Sequence, residues 1–499
     1  MTDSPPTSRP EPSLFQSLIP VFFLILMLWG SFMLFGDESS TGPNQIALIL
    51  SAAVAILFGI FNGYSWTELQ EGIVKGIGLS MGAILILLAV GALIGTWIMA
   101  GIVPTMIYYG LQILYPSIFF LASCIICAVV SLATGSSWTT AGTIGIALIG
   151  IASALDLSLA IAAGAIISGA YFGDKLSPLS DTTNLAPAMV GTDLFTHIRH
   201  MMWTTFPSMT IAMLLFGIIG FTQTGSGSSA GLGEVLAALE TNFNLGWHLL
   251  IPPLIVIFLA VKRMPAFPAI LLGALIGGLF AALFQTQVVV TYAAADGLPA
   301  WAAIIKGVWK SLFAGYAAVT GNAGLDELLS RGGMASMLNT VWLIMSAMTF
   351  GAVMETTGML HKLANSVLSF VHSTGSLVAS TLATSIGCNI IASDQYISII
   401  LPGRMFRAEF ERRGLHPKNL SRIMEDSGTL TSPLVPWNTC GAFMASTLGV
   451  ATFAYLPFCF LNLCNPVISA IYGFTGFTME KLEQDSEAEV PAQAAGSQA

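Results

Sequence analysis

The feature that most constrains this chain is its succession of apolar stretches near bilayer length. They fall near residues 15–36, 43–63, 77–100, 117–134, 157–173, 205–222, 247–261, 266–285, 335–357, 374–392 and 456–477. A hydrocarbon core ~30 Å thick takes about 20 helical residues to cross. Backbone polar groups in lipid must be satisfied internally, which leaves helices or closed barrels. These stretches are about twice the ~10-residue alternating strand of a barrel. The expected fold is therefore all-α, a polytopic membrane protein with about 10–12 transmembrane helices embedded in a lipid bilayer. Composition agrees: 9% of residues are charged and 55% apolar, where a soluble protein carries about 25% charged. A soluble enzyme, a nucleic-acid binder and a disulfide-stapled secreted domain are excluded.

The ends of the chain differ from its middle. Residues 1–14 are polar and proline-rich, and residues 478–499 hold five of the 26 acids. Both read as disordered tails, the first cytoplasmic. The start lacks the basic region and cleavage site of a signal peptide, so the first helix is expected to be an uncleaved anchor. Cys124 and Cys127 form a C-x-x-C inside an apolar run with no second ligand pair nearby, and are read as small apolar filler.

Basic residues orient the chain. Arg404, Arg407, Arg412, Arg413, Lys418 and Arg422 are six of the 17 Lys and Arg, which assigns 404–422 to the cytoplasm. The acidic loop GDESSTGPN and the Lys/Arg-free stretches 223–246 and 286–304 are assigned outside. The glycine- and serine-rich start of 223–246 reads as a flexible external linker. Its GSSAG matches G-x-S-x-G without the strand and helix that motif requires.

Two polar segments inside the apolar regions are related. GDKLSPLSDTTNLAP covers 173–187, and DSGTLTSPLVPWNTCGA covers 426–442. Pro178 and Pro433 of their shared Ser-Pro-Leu lie 255 residues apart. The same offset carries TGSSWTTAGT at 134–143 onto NIIASDQYIS at 389–398. The chain thus divides into a first half, 15–222, and a second half, 247–477, read as two inverted-topology repeats. Stretches 135–152 and 440–452 read as re-entrant or broken helices. Broken backbone at membrane depth persists only against protein or a water-filled cavity, and paired breaks in corresponding halves point to a transporter binding site.

The polar residues in these breaks are the candidate ion or substrate ligands. Intramembrane carboxylates are costly and functional by default. Asp181 and Asp394 lie in matching breaks among oxygen donors, and both are assigned to Na+. Capping of the broken helices is the alternative role. Asp174 is a further candidate unless Lys175 holds it as a local pair. Glu355, Glu425 and Asp426 complete the set. Glu425 and Asp426 follow the basic loop, so a surface role and a site role stand equally. Hydroxyl ligands come from Ser136, Ser137, Thr139, Thr140, Ser177, Ser180, Thr182, Ser393 and Ser432, and amide oxygens from Asn184, Asn389 and Asn438. Trp138 and Trp437 either wall the cavity or pack. A carboxyl that titrates near pH ~4 in water holds its proton longer when desolvated. One site can then accept a proton or a cation, and crossing only when neutralised gives antiport. His197 and His200 lie one turn apart and are placed on an interfacial amphipathic helix with Arg199, with pH sensing as the other reading.

The segments GSSWTTAGTIG, SGAYFGDKLSPLSDTTNLAP, GTDLFTHIRHMMWTT, LSRGGMASML and EDSGTLTSPLVPWNTCGAFMA resemble the NhaC family of sodium/proton antiporters, from about residue 15 to 475. That resemblance implies secondary active transport across a prokaryotic plasma membrane, with Na+ and H+ as cargo and no cofactor. It also implies the ion-transporter superfamily fold, whose elevator-like motion and homodimers enter by analogy. The family includes exchangers of organic acids such as malate for lactate, so small inorganic cations and organic acids are both candidate substrates. Enzyme readings find no support: H-E-x-x-H is absent, and Tyr171-Phe172-Gly173-Asp174 lacks the first glycine of G-x-G-D. A channel is disfavoured by the paired breaks and the missing TVGYG-like filter.

Overall fold

A computed structural model describes residues 10–35, 39, 41–222, 229–294, 297–369 and 371–482. The far ends of both tails, most of the GDESS loop and the GSG core of the linker lie outside the described residues. Among those described there is no strand, and the one isolated bridge is antiparallel, between Leu415 and Lys481. Ten helices are long and apolar enough to cross a membrane, or up to 12 if each of two bent helix pairs is one span.

Burial separates the helices by environment. Leu14–Phe35 is only 17% buried, as a helix with lipid on most sides would be, whereas Leu159–Leu176 is 83% buried and forms the core. Small residues make that position possible. Leu159–Leu176 carries Ala162, Ala163, Gly164, Ala165, Gly169, Ala170 and Gly173, and packs along Phe119–Thr134. A Cβ on Gly169 would lie 2.1 Å from the Cys124 carbonyl oxygen, and one on Gly173 would lie 2.3 Å from the Leu132 nitrogen. Helices in lipid gain by such close backbone approach, because burying apolar surface is worth little there.

A series of helices recurs along the chain. Met81, Ile102, Ser137, Leu159 and Asp181 open helices in the first half; Leu338, Met359, Gln395, Pro417 and Thr439 open their counterparts, each 257 or 258 residues on. The true offset is therefore two to three residues longer than the Ser-Pro-Leu match implied. In the first half Ser177-Pro178-Leu179 forms the break itself, between Leu159–Leu176 and Asp181–Val190. In the second, Ser432–Leu434 is a final 3-10 turn before the break at 435–438. Each half carries one π-helical turn, Ala141–Gly145 and Glu425–Thr429.

Several expectations are corrected. The stretch 135–152 is continuous from Ser137 to Ala154, which removes the broken-helix reading and leaves the re-entrant one. It forms a hairpin with Phe119–Thr134 across Gly135, whose φ of +70° and 2.6 Å approach to the Leu179 Cβ exclude a side chain. The bend expected at 440–452 is present, at 88° between Thr439–Leu448 and Thr452–Phe458. The other bent pair is Gly233–Asn242 with Trp247–Val261, at 90°, so much of the stretch read as a linker is helical. The helix expected near 205–222 begins at Leu194, eleven residues earlier than its apolar run, which draws His197 and His200 into it. The C-terminal tail stays attached at its start: the His416 amide donates to the Glu480 carbonyl at 2.9 Å, and the Leu482 amide to the Gly414 carbonyl at 2.8 Å.

Candidate functional site: a carboxylate-lined cavity at four helix N-termini

Four helices begin at the breaks and hairpin tips, each with a polar cap. Ser136 Oγ accepts from the Thr139 amide at 3.1 Å, and Ser180 Oγ from the Thr183 amide at 3.4 Å. Asp394 Oδ1 accepts from the Ile397 amide at 3.0 Å, and Asn438 Oδ1 from the Cys440 amide at 3.0 Å. These are the short polar residues that favour caps, because their side chains replace the missing intrahelical acceptor. The caps correspond in pairs, Ser136 with Asp394 and Ser180 with Asn438, at the same 258-residue spacing.

The four N-termini meet around one cavity of about 680 Å³. Its lining includes Ser136, Ser137, Thr139, Asp174, Ser180, Asp181, Thr182, Asn184 and Asp394. Asp174 and Asp394 are buried, whereas Asp181 is exposed to the cavity. Asp181 therefore differs from the enclosed position expected of it. Asp174 Oδ2 accepts from the Ser137 hydroxyl at 2.6 Å and the Ser137 amide at 3.1 Å, which ties the hairpin tip to the core helix. The Ser180 and Thr182 hydroxyls lie 3.2 Å apart. Trp138 lines the cavity and stacks on Phe443 at 4.1 Å between ring centroids, joining the two halves, whereas Trp437 donates to the Ile390 carbonyl at 2.7 Å within the second half. Gln395, Tyr396, Thr439 and Cys440 also line the cavity. Gln395 stood in the sequence only as a neighbour of Asp394, and sequence reasoning passed over Tyr396, Thr439 and Cys440, although each lies within two residues of a cap.

Other candidates serve the breaks from behind. The Asn184 amide donates to the carbonyls of Pro178 and Ser180 at 2.9 and 2.6 Å. Asn389 donates to the Gly428 carbonyl at 2.7 Å and the Thr431 hydroxyl at 2.9 Å, and accepts from Asn438 at 3.1 Å. Thr140 donates to the Ser136 carbonyl at 2.9 Å, and Ser432 to the Thr429 carbonyl at 2.7 Å. Ser177 Oγ accepts from the Leu179 amide at 3.3 Å. Ser393 holds the hairpin tip with φ +59°, and its carbonyl accepts from the Thr439 amide at 3.0 Å. Asn184 still reaches the cavity; Thr140, Ser177, Asn389, Ser393, Ser432 and Asn438 do not line it. They satisfy backbone groups freed by the breaks, as membrane depth requires.

A second cluster lies deeper. Lys175 is fully buried and pairs with Asp426, not with its neighbour Asp174. Its ammonium also donates to Asn465 Oδ1 at 3.1 Å, and the Thr204 hydroxyl donates to Asp426 Oδ1 at 2.8 Å. Arg422 Nε stands 3.7 Å from Asp426 Oδ2, and its Nη1 contacts His200 Nε2 at 3.0 Å. His197 Nδ1 contacts the Ser421 hydroxyl at 2.8 Å. Asp426, Glu425, Arg422 and both histidines are buried. Hence Glu425 and Asp426 have no surface role, Arg422 leaves the exposed basic loop, and His197 and His200 turn into the protein interior rather than onto an exposed helix face. Two cations balance two acids, and Lys175 and Asp426, 251 residues apart, bolt the two halves together.

The donors around the cavity are carboxylate and hydroxyl oxygens, a set suited to a hard cation, and the helix N-termini add positive potential suited to an anionic group. The comparisons with known proteins agree with a carrier. A sequence profile of the Na+/H+ antiporter family matches residues 169–477. The chain is 41% identical to the Na+/H+ antiporter NhaC of Alkalihalophilus pseudofirmus, over 88% of this chain and 91% of that protein. It is 41% identical to the malate-2H+/Na+-lactate antiporter of Bacillus subtilis, over 93% and 95%. It is 35% identical to the arginine/ornithine antiporter ArcD of Halobacterium salinarum, over 97% and 96%. With its ten or more apolar helices, the chain is a multi-pass protein of the plasma membrane and belongs to the Na+/H+ antiporter family.

Proposed function

We propose that the chain exchanges cytoplasmic Na+ for external protons by alternating access at the carboxylate-lined cavity. The observation that carries this reading is the meeting of Asp174, Asp181 and Asp394 at four capped helix N-termini drawn from both halves. Asp394, buried at a hairpin tip, and Asp174, buried on the core helix beside the other tip, bind the ion together with the hydroxyls of Ser136, Ser137, Thr139, Ser180 and Thr182. Asp181 supplies charge at the open wall. The cavity also borders Arg263, beside Lys262, and the positive-inside rule assigns that mouth to the cytoplasm. A site left empty and charged is expensive to move through lipid, so transit requires either Na+ or protons on the carboxylates. The cycle uses Na+ and H+ as cargo with no cofactor and no enzymatic step. By analogy the motion is elevator-like, in a homodimer.

A second reading is exchange of an organic acid coupled to Na+ and H+. The cavity volume favours it, since about 680 Å³ far exceeds the ~30 Å³ share of one water in the liquid, and helix N-termini suit a carboxylate. Dequenching of a pH-sensitive dye in proteoliposomes, with Na+, Li+, K+, malate, lactate and arginine added in turn, separates the two. Dequenching by Na+ alone supports cation exchange. Uptake of an organic solute without Na+-driven proton flux transfers the assignment to the second reading.

A further inference from the structure

A smaller pocket of 290 Å³ lies elsewhere in the chain, lined by Ser330, Arg331, Gly332, Ser336, Ser446, Thr447 and a few apolar side chains. Its relation to the main cavity follows from two helices. Thr439–Leu448 begins in the cavity, with Thr439 and Cys440, and ends in the pocket, with Ser446 to Gly449. Ser137–Ala154 likewise begins in the cavity and passes the pocket at Ile146 and Ile149. Six residues, from Cys440 to Ser446, at about 1.5 Å each separate the two spaces by ~9 Å along the helix axis. The pocket therefore lies toward the membrane face opposite the cavity.

Its chemistry is the reverse of the cavity's. No acid lines it. The half-buried Arg331 guanidinium makes no hydrogen bond or ion-pair contact among the described residues; the exposed Glu327 carboxylate acts on it through space but is not part of the pocket lining. The Thr447 hydroxyl is buried without a partner, in a residue 4% exposed. Ser330 Oγ accepts from the Ala318 amide at 2.9 Å, leaving its proton to donate inward. The backbone is shaped around the guanidinium. Gly332 and Gly333, at φ +90° and +83°, press against Gly95 and Gly315, where a Cβ would come within 2.4 and 2.2 Å. Gly449 leaves room for Arg331, whose Nη1 a Cβ there would meet at 2.6 Å. The Leu-Ser-Arg-Gly-Gly motif thus brings one cation and one hydroxyl to a pocket whose other walls are largely apolar, with Ile94, Ile146, Ile149, Met337 and Leu448.

We propose that this pocket binds a small organic carboxylate arriving from the face opposite the main cavity, with Arg331 and Thr447 as its principal donors. A planar guanidinium matches a carboxylate bidentately, and such charge-assisted bonds are the strong ones. The volume is at the bottom of the range for ligand sites, so it selects small acids. The direction of arrival rests on the carrier reading; the binding does not. Isothermal titration of the full-length protein in nanodiscs, with lactate, malate, chloride and inorganic phosphate as separate titrants, tests the proposal. Arg331→Gln and Thr447→Val should each weaken lactate or malate binding by about tenfold or more, and Arg331→Lys should restore part of it. Thermal unfolding of each apo variant checks the fold. Equal carboxylate affinity in wild type and both variants, no carboxylate binding in wild type, or chloride and phosphate binding as tightly as the carboxylates would each overturn it. Because the titration needs no gradient, its outcome is independent of whether Na+ drives proton movement in proteoliposomes.

Discussion

The buried pair between Lys175 and Asp426 sets up a double-mutant cycle with unequal arms. Lys175→Met leaves Asp426 with the Thr204 hydroxyl at 2.8 Å and Arg422 at 3.7 Å, so the carboxylate keeps partial compensation. Breaking a buried pair costs about 3–5 kcal/mol, mostly the penalty on the abandoned charge. This variant should sit at the low end, about 3 kcal/mol. Asp426→Asn strands two buried cations at once and should cost about 5 kcal/mol. In Lys175→Met/Asp426→Asn the Arg422 guanidinium loses Asp426 but keeps His200 at 3.0 Å and Thr478 at 2.8 Å, and Glu425 loses the nearby ammonium, as it already does in Lys175→Met. The double variant should therefore cost about 5 kcal/mol, not 8, a coupling of roughly 3 kcal/mol at the upper end for contacting residues. Unfolding in mixed micelles titrated with SDS, followed by tryptophan fluorescence, measures all four corners. Additivity within about 0.5 kcal/mol would refute the pairing and the idea that it bolts the halves together.

Ser137→Ala removes the shorter of its two bonds to Asp174. The half-maximal Na+ concentration for exchange should rise about tenfold or more, and an unchanged concentration dependence in proteoliposomes would contradict this. Gly173→Ala drives a methyl to within 2.3–2.6 Å of the Phe119–Thr134 backbone, so SDS-titrated unfolding should register a loss of about 1–3 kcal/mol. At the basic end of Gln395–Arg412, bonds from Arg412, and then Arg413, hold the Glu409 carboxyl down at about 2, below its ordinary 4.5. A depressed carboxyl stabilises the fold fully above its unfolded value and loses that contribution as pH falls through the folded one. Glu409→Gln should cost under about 1 kcal/mol at pH 7, less in high salt, and the gap from wild type should close between pH 4.5 and 2. A gap that persists at pH 2 would contradict the ion pair.

The spans and breaks were legible because they rest on local physics. Apolar runs of bilayer length become helices, and Ser-Pro-Leu followed by Ser180-Asp181 or Trp437-Asn438 interrupts one and caps the next. Asp394 was identifiable for the same reason, as a carboxylate in a polar patch between apolar runs. The charged bolt was not legible, since nothing local in Gly173-Asp174-Lys175 indicates that the lysine reaches a residue 251 positions away while the aspartate turns to Ser137. His197 and His200 illustrate a related limit. Their spacing suits an amphipathic interfacial helix equally well, and only the packing of Leu194–Thr222 against Pro417–Met424 makes them internal. A signal for the bolt did exist: Arg422, Glu425, Asp426 and Thr429 recur at helical spacing between Leu420 and Leu430, which marks a polar stripe with no room for water. The repeat was found from one tripeptide, and a shared tripeptide aligns letters rather than caps, hence the error of two to three residues in offset.

The central claim is that Na+ and protons contend for Asp174 and Asp394 beside the hairpin tips. Proton release on addition of Na+ to purified, weakly buffered protein tests it most directly, followed with a pH-sensitive dye at values from pH 6 to 9. Release is expected in the wild type, rising and then falling across that range, with a large loss in Asp174→Asn and in Asp394→Asn. Bound Na+ that displaces no proton at any of these pH values, or wild-type release from the variant carrying both substitutions, would contradict it.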